Sequence, residues 1–146
     1  MPPLKSNTFN EVKTTEEWVR HLHSIQSYEW RIPKELAPHL KLGVLTPPPL
    51  AADIIRFFTP GQMAQVFDPF AGEGGILVGA ALAGRLGAGC DLYEENRETA
   101  RAVGEHYGFP AGKGWWGMQT ADAVDWLRYM VEERGQVAET ADEGDP

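Results

Sequence analysis

The chain has 146 residues, with 13 Lys and Arg against 21 Asp and Glu, a net charge of −8. That length suffices for one domain with a real core, and the balance of apolar and charged residues is that of an ordinary globular protein. The charge excludes a protein that grips nucleic acid unaided, because phosphate binding needs basic surface, and removal of the four acids after Gly135 still leaves −4.

Residues 1–13 read as an irregular lead with no apolar core, so no signal peptide is expected there. "TTEEWVRHLHSI" then predicts a helix. Thr14 and Glu17 have capping-box spacing, and Trp18, Leu22 and Ile25 share a face. His21 and His23 point to different sides of it and are not expected to be metal ligands. "SYEWRIPKELAPHLKLGVL" predicts a loop with short turns. Residues 1–45 are thus an N-terminal helix and irregular lead.

"TPPPLAADIIRFFTPG" predicts a helix capped by Thr46, opened by prolines and stopped by Pro60-Gly61, with Leu50, Ile54 and Phe58 as its buried stripe. "AQVFDPF" is a short strand. "GGILVGAALAGRL" is a helix apolar almost all round, too short to span a bilayer. "GAGCDLY" is a second strand. Its Cys90, the single cysteine, is read as a small buried residue and fits a reducing, cytoplasmic setting.

"EENRETARAVGEHYG" is an amphipathic helix with Ala100, Val103 and Tyr107 inward. "GWWGMQTAD" holds a third strand. Trp115 and Trp116 are placed on the ligand side of the sheet, with packing or subunit contact the expected role rather than base stacking. "AVDWLRYMVEERG" is a helix with Val124, Leu127 and Val131 inward and Gly135 as its C-cap. Residues 136–146 are an acidic tail expected to be disordered.

The alternation of strand and helix over 46–135 predicts an α/β fold with parallel strands and helical crossovers. "FDPFAGEGG", residues 67–75, falls between the first strand and its helix. In a Rossmann-like sheet that loop meets a nucleotide-type ligand: glycines let the ligand approach backbone amides, and the helix N-terminus favours a negative group. A tight turn is the plain alternative. Asp91 ends the second strand, 23 residues after Asp68, where an acid accepts hydrogen bonds from ribose hydroxyls or is simply a surface acid. Asp122 follows the third strand and either approaches an adenine amino group or caps its helix, roles that do not exclude each other.

These residues resemble S-adenosylmethionine-dependent amino-methyltransferases, which methylate adenine N6 or cytosine N4 in DNA. "DPFAGEGG" looks like their motif I, commonly D-P-F-x-G-x-G. "LTPPPLAADIIRFF" resembles the helix-opening segment before motif I in members whose cofactor-binding half comes first, in which a Thr/Lys-Pro pair touches the methionine part of the cofactor. Asp91 and Asp122 match the acids of motifs II and III. The resemblance covers roughly residues 46–127. It implies a partial Rossmann-like methyltransferase sheet of three parallel strands that holds S-adenosylmethionine through Thr46, Pro47, Asp68, Phe70, Gly72, Gly74, Asp91 and Asp122.

The catalytic tetrapeptide of that family, [DNS]-P-P-[YFW], is missing, and so is a fourth strand. "TPPPL" lies before motif I and "GDP" ends the sequence. The strand order would be 3-2-1, with the first strand an open edge and the apolar helix after it partly uncovered. The implied protein is the cofactor-binding subunit of a split enzyme, a heterodimer. Its partner subunit would bring the catalytic motif and the DNA contacts, with no membrane involved. Alternatives are a non-catalytic S-adenosylmethionine-binding scaffold, half of an RNA methyltransferase (RNA guanosine enzymes share a similar motif I), or a truncated enzyme.

Overall fold

The computed structural model describes residues 16, 30–59, 61 and 63–142. The expected N-terminal helix lies outside them apart from Glu16, which is helical, as do His21, His23 and Pro60. The described part is α/β: α1 (Pro48–Phe58), β1 (Gln65–Asp68), α2 (Gly75–Leu82), β2 (Leu86–Asp91), α3 (Glu94–His106), β3 (Trp116–Thr120) and α4 (Ala123–Asp142). The strands form one parallel sheet in the order β1-β2-β3, in register Asp68 to Gly89 and Asp91 to Thr120. This is compatible with a partial Rossmann-like fold, and β1 is an edge strand among the described residues. No helix among them is long and apolar enough to cross a membrane.

Strands added in one direction with right-handed crossovers place α2 and α3 on the same face. They share a core there: Leu77 and Val78 of α2, Ala100 and Val103 of α3, and Trp116 and Met118 of β3 are all buried in one cluster. α1 packs outside α2 through Ala51, Ala52 and Ile55, which meet Ala80 and Ala83. The buried stripe of α1 is therefore offset by one residue from the expected one. Ile54 and Phe58 are exposed, because α1 packs close against α2 through small residues: a Cβ on Gly79 would lie 2.6 Å from Ala51 Cβ. Thr46 does not cap this helix. Pro47 holds the N-cap position, without a side-chain cap.

α2 is covered more fully than expected, although Ile76 and Leu82 stay partly exposed. Leu77, Val78, Ala80 and Ala81 are each no more than 2% exposed. α1 supplies part of that cover. The rest comes from the segment read as an irregular lead, whose Leu36 and Leu45 join the main core with Trp30, Ile32 and Leu40 packed against it. Two arginines tie the C-terminal ends of α1 and α2 together. Arg56 Nη2 donates to the carbonyl of Leu82 at 2.5 Å. Arg85, buried, donates to Thr59 Oγ1 at 2.8 Å, Ala83 O at 3.0 Å and Thr59 O at 3.2 Å. Cations at helix C-termini are electrostatically favoured.

Among the described residues the opposite face of the sheet carries α4 alone. Trp126 is its buried residue, stacked on Phe67 with ring centroids 4.2 Å apart. Val124, Leu127 and Val131, expected to point inward, are 62%, 41% and 71% exposed. The reason is the surface they would meet: Phe67, Ala88 and Gly117 form one cross-strand row, and the small residues leave only Phe67 for α4 to rest on. An apolar groove of about 760 Å³ remains between the sheet and α4, lined by Val66, Phe67, Leu86, Ala88, Leu127, Met130 and Val131 among others. α4 also runs through Gly135 to Asp142. Gly135 is thus not a C-cap, and 136–142 of the expected tail are helical. Residues 143–146 lie outside the described ones.

Candidate functional site

The C-terminal ends of the three strands meet at a slot of about 380 Å³, within the usual range for small-ligand sites. Its wall has four parts. Pro69 and Phe70 follow β1; Asp91 ends β2, and Leu92, Tyr93 and Asn96 follow it; Ala121, Asp122, Ala123 and Val124 follow β3; Leu42 comes from the segment before α1. Among the described residues two acids line the slot, and no Lys, Arg or His does. Large apolar side chains stand exposed around it: Phe70 at 77%, Leu92 at 60%, Leu42 at 59% and Val124 at 62%.

Asp91 is the most connected group here. Its Oδ2 accepts the backbone N–H of Gly72 at 2.9 Å. Its Oδ1 accepts Tyr93 N–H at 3.1 Å and Asn96 Nδ2 at 2.9 Å. Asn96 is buried, so the carboxylate is fixed from both chain directions. Asp122 is exposed. Its Oδ1 accepts Val124 N–H at 2.8 Å and Asp125 N–H at 3.3 Å, which caps α4. The capping role is thereby established, and its other oxygen faces the question of a ligand. Asp68 ends β1 and its Oδ1 accepts Phe70 N–H at 3.0 Å, turning the chain into the loop.

The glycine-rich loop is set by two close approaches. Gly74, the N-cap of α2, has φ +81°, and a Cβ there would lie 2.5 Å from Ala100 Cβ. A Cβ on Gly75 would lie 2.1 Å from the carbonyl oxygen of Thr46. Thr46-Pro47 therefore presses against the back of the loop. Of the expected site residues, Phe70, Asp91 and Asp122 line the slot, and Gly72 joins them through Asp91. Asp68, Gly74, Thr46 and Pro47 shape the loop without lining the slot. Sequence reasoning missed Leu42, Leu92, Tyr93, Asn96 and Val124. Leu92 and Tyr93 directly follow the expected acid and so were within reach; nothing local marks Leu42 or Asn96.

Trp115 and Trp116 are not on this side. Trp116 pairs with Gly87 at the start of β3, opposite the slot. It is buried and donates Nε1–H to Phe109 O at 2.7 Å, a packing role. Cys90 is buried with its thiol near Pro69 O at 3.4 Å. Burial, then the charges of Asp91, Asp122 and Asp68, push the thiol above its ordinary 9.0, so it is no nucleophile at neutral pH. The Thr120 hydroxyl bonds Glu94 and, with Arg97, holds that carboxyl below its usual range. No cluster of three or more His, Cys, Asp or Glu suited to a metal occurs among the described residues. Among the described residues the slot thus offers carboxylate acceptors set in apolar walls. Comparison with protein-family models finds no match, and comparison with curated proteins finds none either.

Proposed function

We propose that this chain is the S-adenosylmethionine-binding subunit of a split amino-methyltransferase acting on DNA. The observation that carries the reading is the slot's electrostatics. Asp91 and Asp122 lie in an apolar wall without any cation among the described residues, at the strand ends where nucleotide-type ligands bind. A phosphorylated nucleotide would meet repulsion there. A nucleoside with a positive group meets attraction. The Asp91 carboxylate is held ready to accept ribose hydroxyls, the apolar walls suit an adenine ring, and Asp122 keeps an oxygen for its amino group. When bound, S-adenosylmethionine supplies an electrophilic methyl on a sulfonium; this chain's residues bind and orient it.

The partner half of the reading rests on the second sheet face. An all-parallel sheet is normally covered on both faces, whereas among the described residues nothing covers the groove beside β1 or the exposed Leu127 and Val131. A partner subunit would fill that face and bring the catalytic tetrapeptide and the basic DNA surface that a chain of net charge −8 lacks. A non-catalytic, cofactor-binding scaffold is the second reading, favoured by the lack of any acid–base pair in the slot among the described residues.

Calorimetry with S-adenosylmethionine, ATP and NAD tests the binding half. S-adenosylmethionine is expected to bind at least tenfold more tightly than either phosphate-bearing ligand. Equal or tighter binding of ATP would remove the reading.

A further inference from the structure

The glycine-rich loop holds a buried acid that cofactor binding leaves unused. Glu73 is 3% exposed. Its Oε1 accepts the backbone N–H groups of Lys41 at 2.6 Å and Leu42 at 2.8 Å. Its Oε2 is shut off from solvent and has no hydrogen-bond partner. A buried carboxylate with one oxygen unmet costs folding free energy. Its place just before the N-cap of α2, at the positive end of that helix, offsets only part of this.

The two amides belong to the segment that walls the slot. Leu36 and Leu45 anchor its ends in the core. Thr99 Oγ1 donates to His39 O at 3.0 Å. Beyond that anchor the chain leaves the core: Leu42 and Val44 are 59% and 78% exposed, and Gly43 turns it at φ +65°. Leu42 is nonetheless part of the slot wall. The contact that holds it there is the bond from its own N–H to Glu73.

We infer that Glu73 is a positioning residue: by clamping the amides of Lys41 and Leu42 to the glycine-rich loop, it fixes Leu42 as the outer wall of the slot and so sets the slot's width for the ligand. The clamp is geometric and stands without any ligand. Only the choice of S-adenosylmethionine as probe rests on the cofactor reading.

Hydrogen exchange of the full chain, followed by mass spectrometry, reads the clamp directly. Glu73→Ala is expected to raise exchange at Lys41 and Leu42 by tenfold or more, while Glu73→Gln, which keeps an acceptor for both amides, stays near wild type. Calorimetry with S-adenosylmethionine is expected to show about tenfold weaker binding in Glu73→Ala and in Leu42→Ala, and near-wild-type binding in Glu73→Gln. The double variant Glu73→Ala/Leu42→Ala should bind no more weakly than Leu42→Ala alone, since both changes act through one wall. Unchanged exchange in Glu73→Ala, or full additivity in the double variant, overturns the inference. Should Glu73→Ala fail to fold, Glu73→Asp, one methylene short of both amides, must show the same rise in exchange, and no rise overturns the clamp. A wild type that binds no S-adenosylmethionine defeats the cofactor reading, and the exchange measurements still decide the clamp.

Discussion

Gly72 donates its backbone N–H to Asp91 Oδ2 at 2.9 Å, which joins the glycine-rich loop to the end of β2 across 19 residues of chain. Asp91 also accepts from Tyr93 and Asn96. A carboxylate offers about four lone-pair sites, so three are committed and about one remains for a ligand hydroxyl. The site's main acceptor is thus built before any ligand arrives.

Asp91→Ala should therefore act twice. It removes a charged acceptor from the slot, which weakens S-adenosylmethionine binding by about 1–3 kcal/mol. It also frees the loop by leaving Gly72 N–H without its partner. Calorimetry that finds equal affinity in Asp91→Ala and wild type would take Asp91 out of the site.

Gly75→Ala should destabilise the fold by about 1–3 kcal/mol or more, because overpacking against rigid backbone has no easy relief and the new Cβ would sit 2.1 Å from Thr46 O. Gly117→Ala is the control. Nothing lies within 4 Å of its Cβ position, so its stability should stay within about 0.5 kcal/mol of wild type. Denaturant midpoints for the pair check the expectation. Equal midpoints would mean that Thr46-Pro47 does not press on the loop.

What the sequence made legible follows from range. The strand–helix alternation, the loop at 68–75 and the positions of Asp91 and Asp122 rest on local pattern, and the elements lie where that pattern puts them. Registers of burial did not follow. Val124, Leu127 and Val131 form a good helical stripe, yet Trp126 is the residue that reaches the sheet, because only Phe67 in that row offers a large side chain. Segment 30–45 has no periodicity, and its Leu36 and Leu45 reach the core through long-range packing that no local window contains. Leu42 and Glu73 were illegible for the same reason: their bond spans 31 residues.

Cys90 should be inert to alkylation in the native chain at pH 8 and react readily once unfolded. Its folded pKa lies above the ordinary 9.0, raised first by burial and then by the nearby acids. The folded state thus holds the thiol proton more tightly than the unfolded state. The stability this contributes is full below about pH 9 and is lost as pH rises toward the folded pKa. Iodoacetamide labelling with and without denaturant, and unfolding midpoints from pH 7 to 10, test both parts. Fast native labelling at pH 8 would contradict the burial.

The chain alone should not transfer methyl groups. On the proposed reading the slot holds the cofactor, the sequence has no [DNS]-P-P-[YFW] tetrapeptide, and among the described residues the groove on one sheet face is left open. A partner that covers that face should bury a large apolar interface, more than about 2,000 Å² in total for an obligate pair. Leu127→Asp and Val131→Asp separate folding from assembly. Both positions are exposed, so stability of the single chain should change by no more than about 0.5 kcal/mol, while a charge in the groove should block the heteromer and with it methyl transfer to DNA. Asp68→Ala, which releases the turn into the glycine-rich loop, should do the reverse: the heteromer assembles and binds DNA through its partner, but transfer of labelled methyl is lost. Robust turnover by the purified single chain under saturating S-adenosylmethionine would place every catalytic residue within these 146 positions and end the split-enzyme reading.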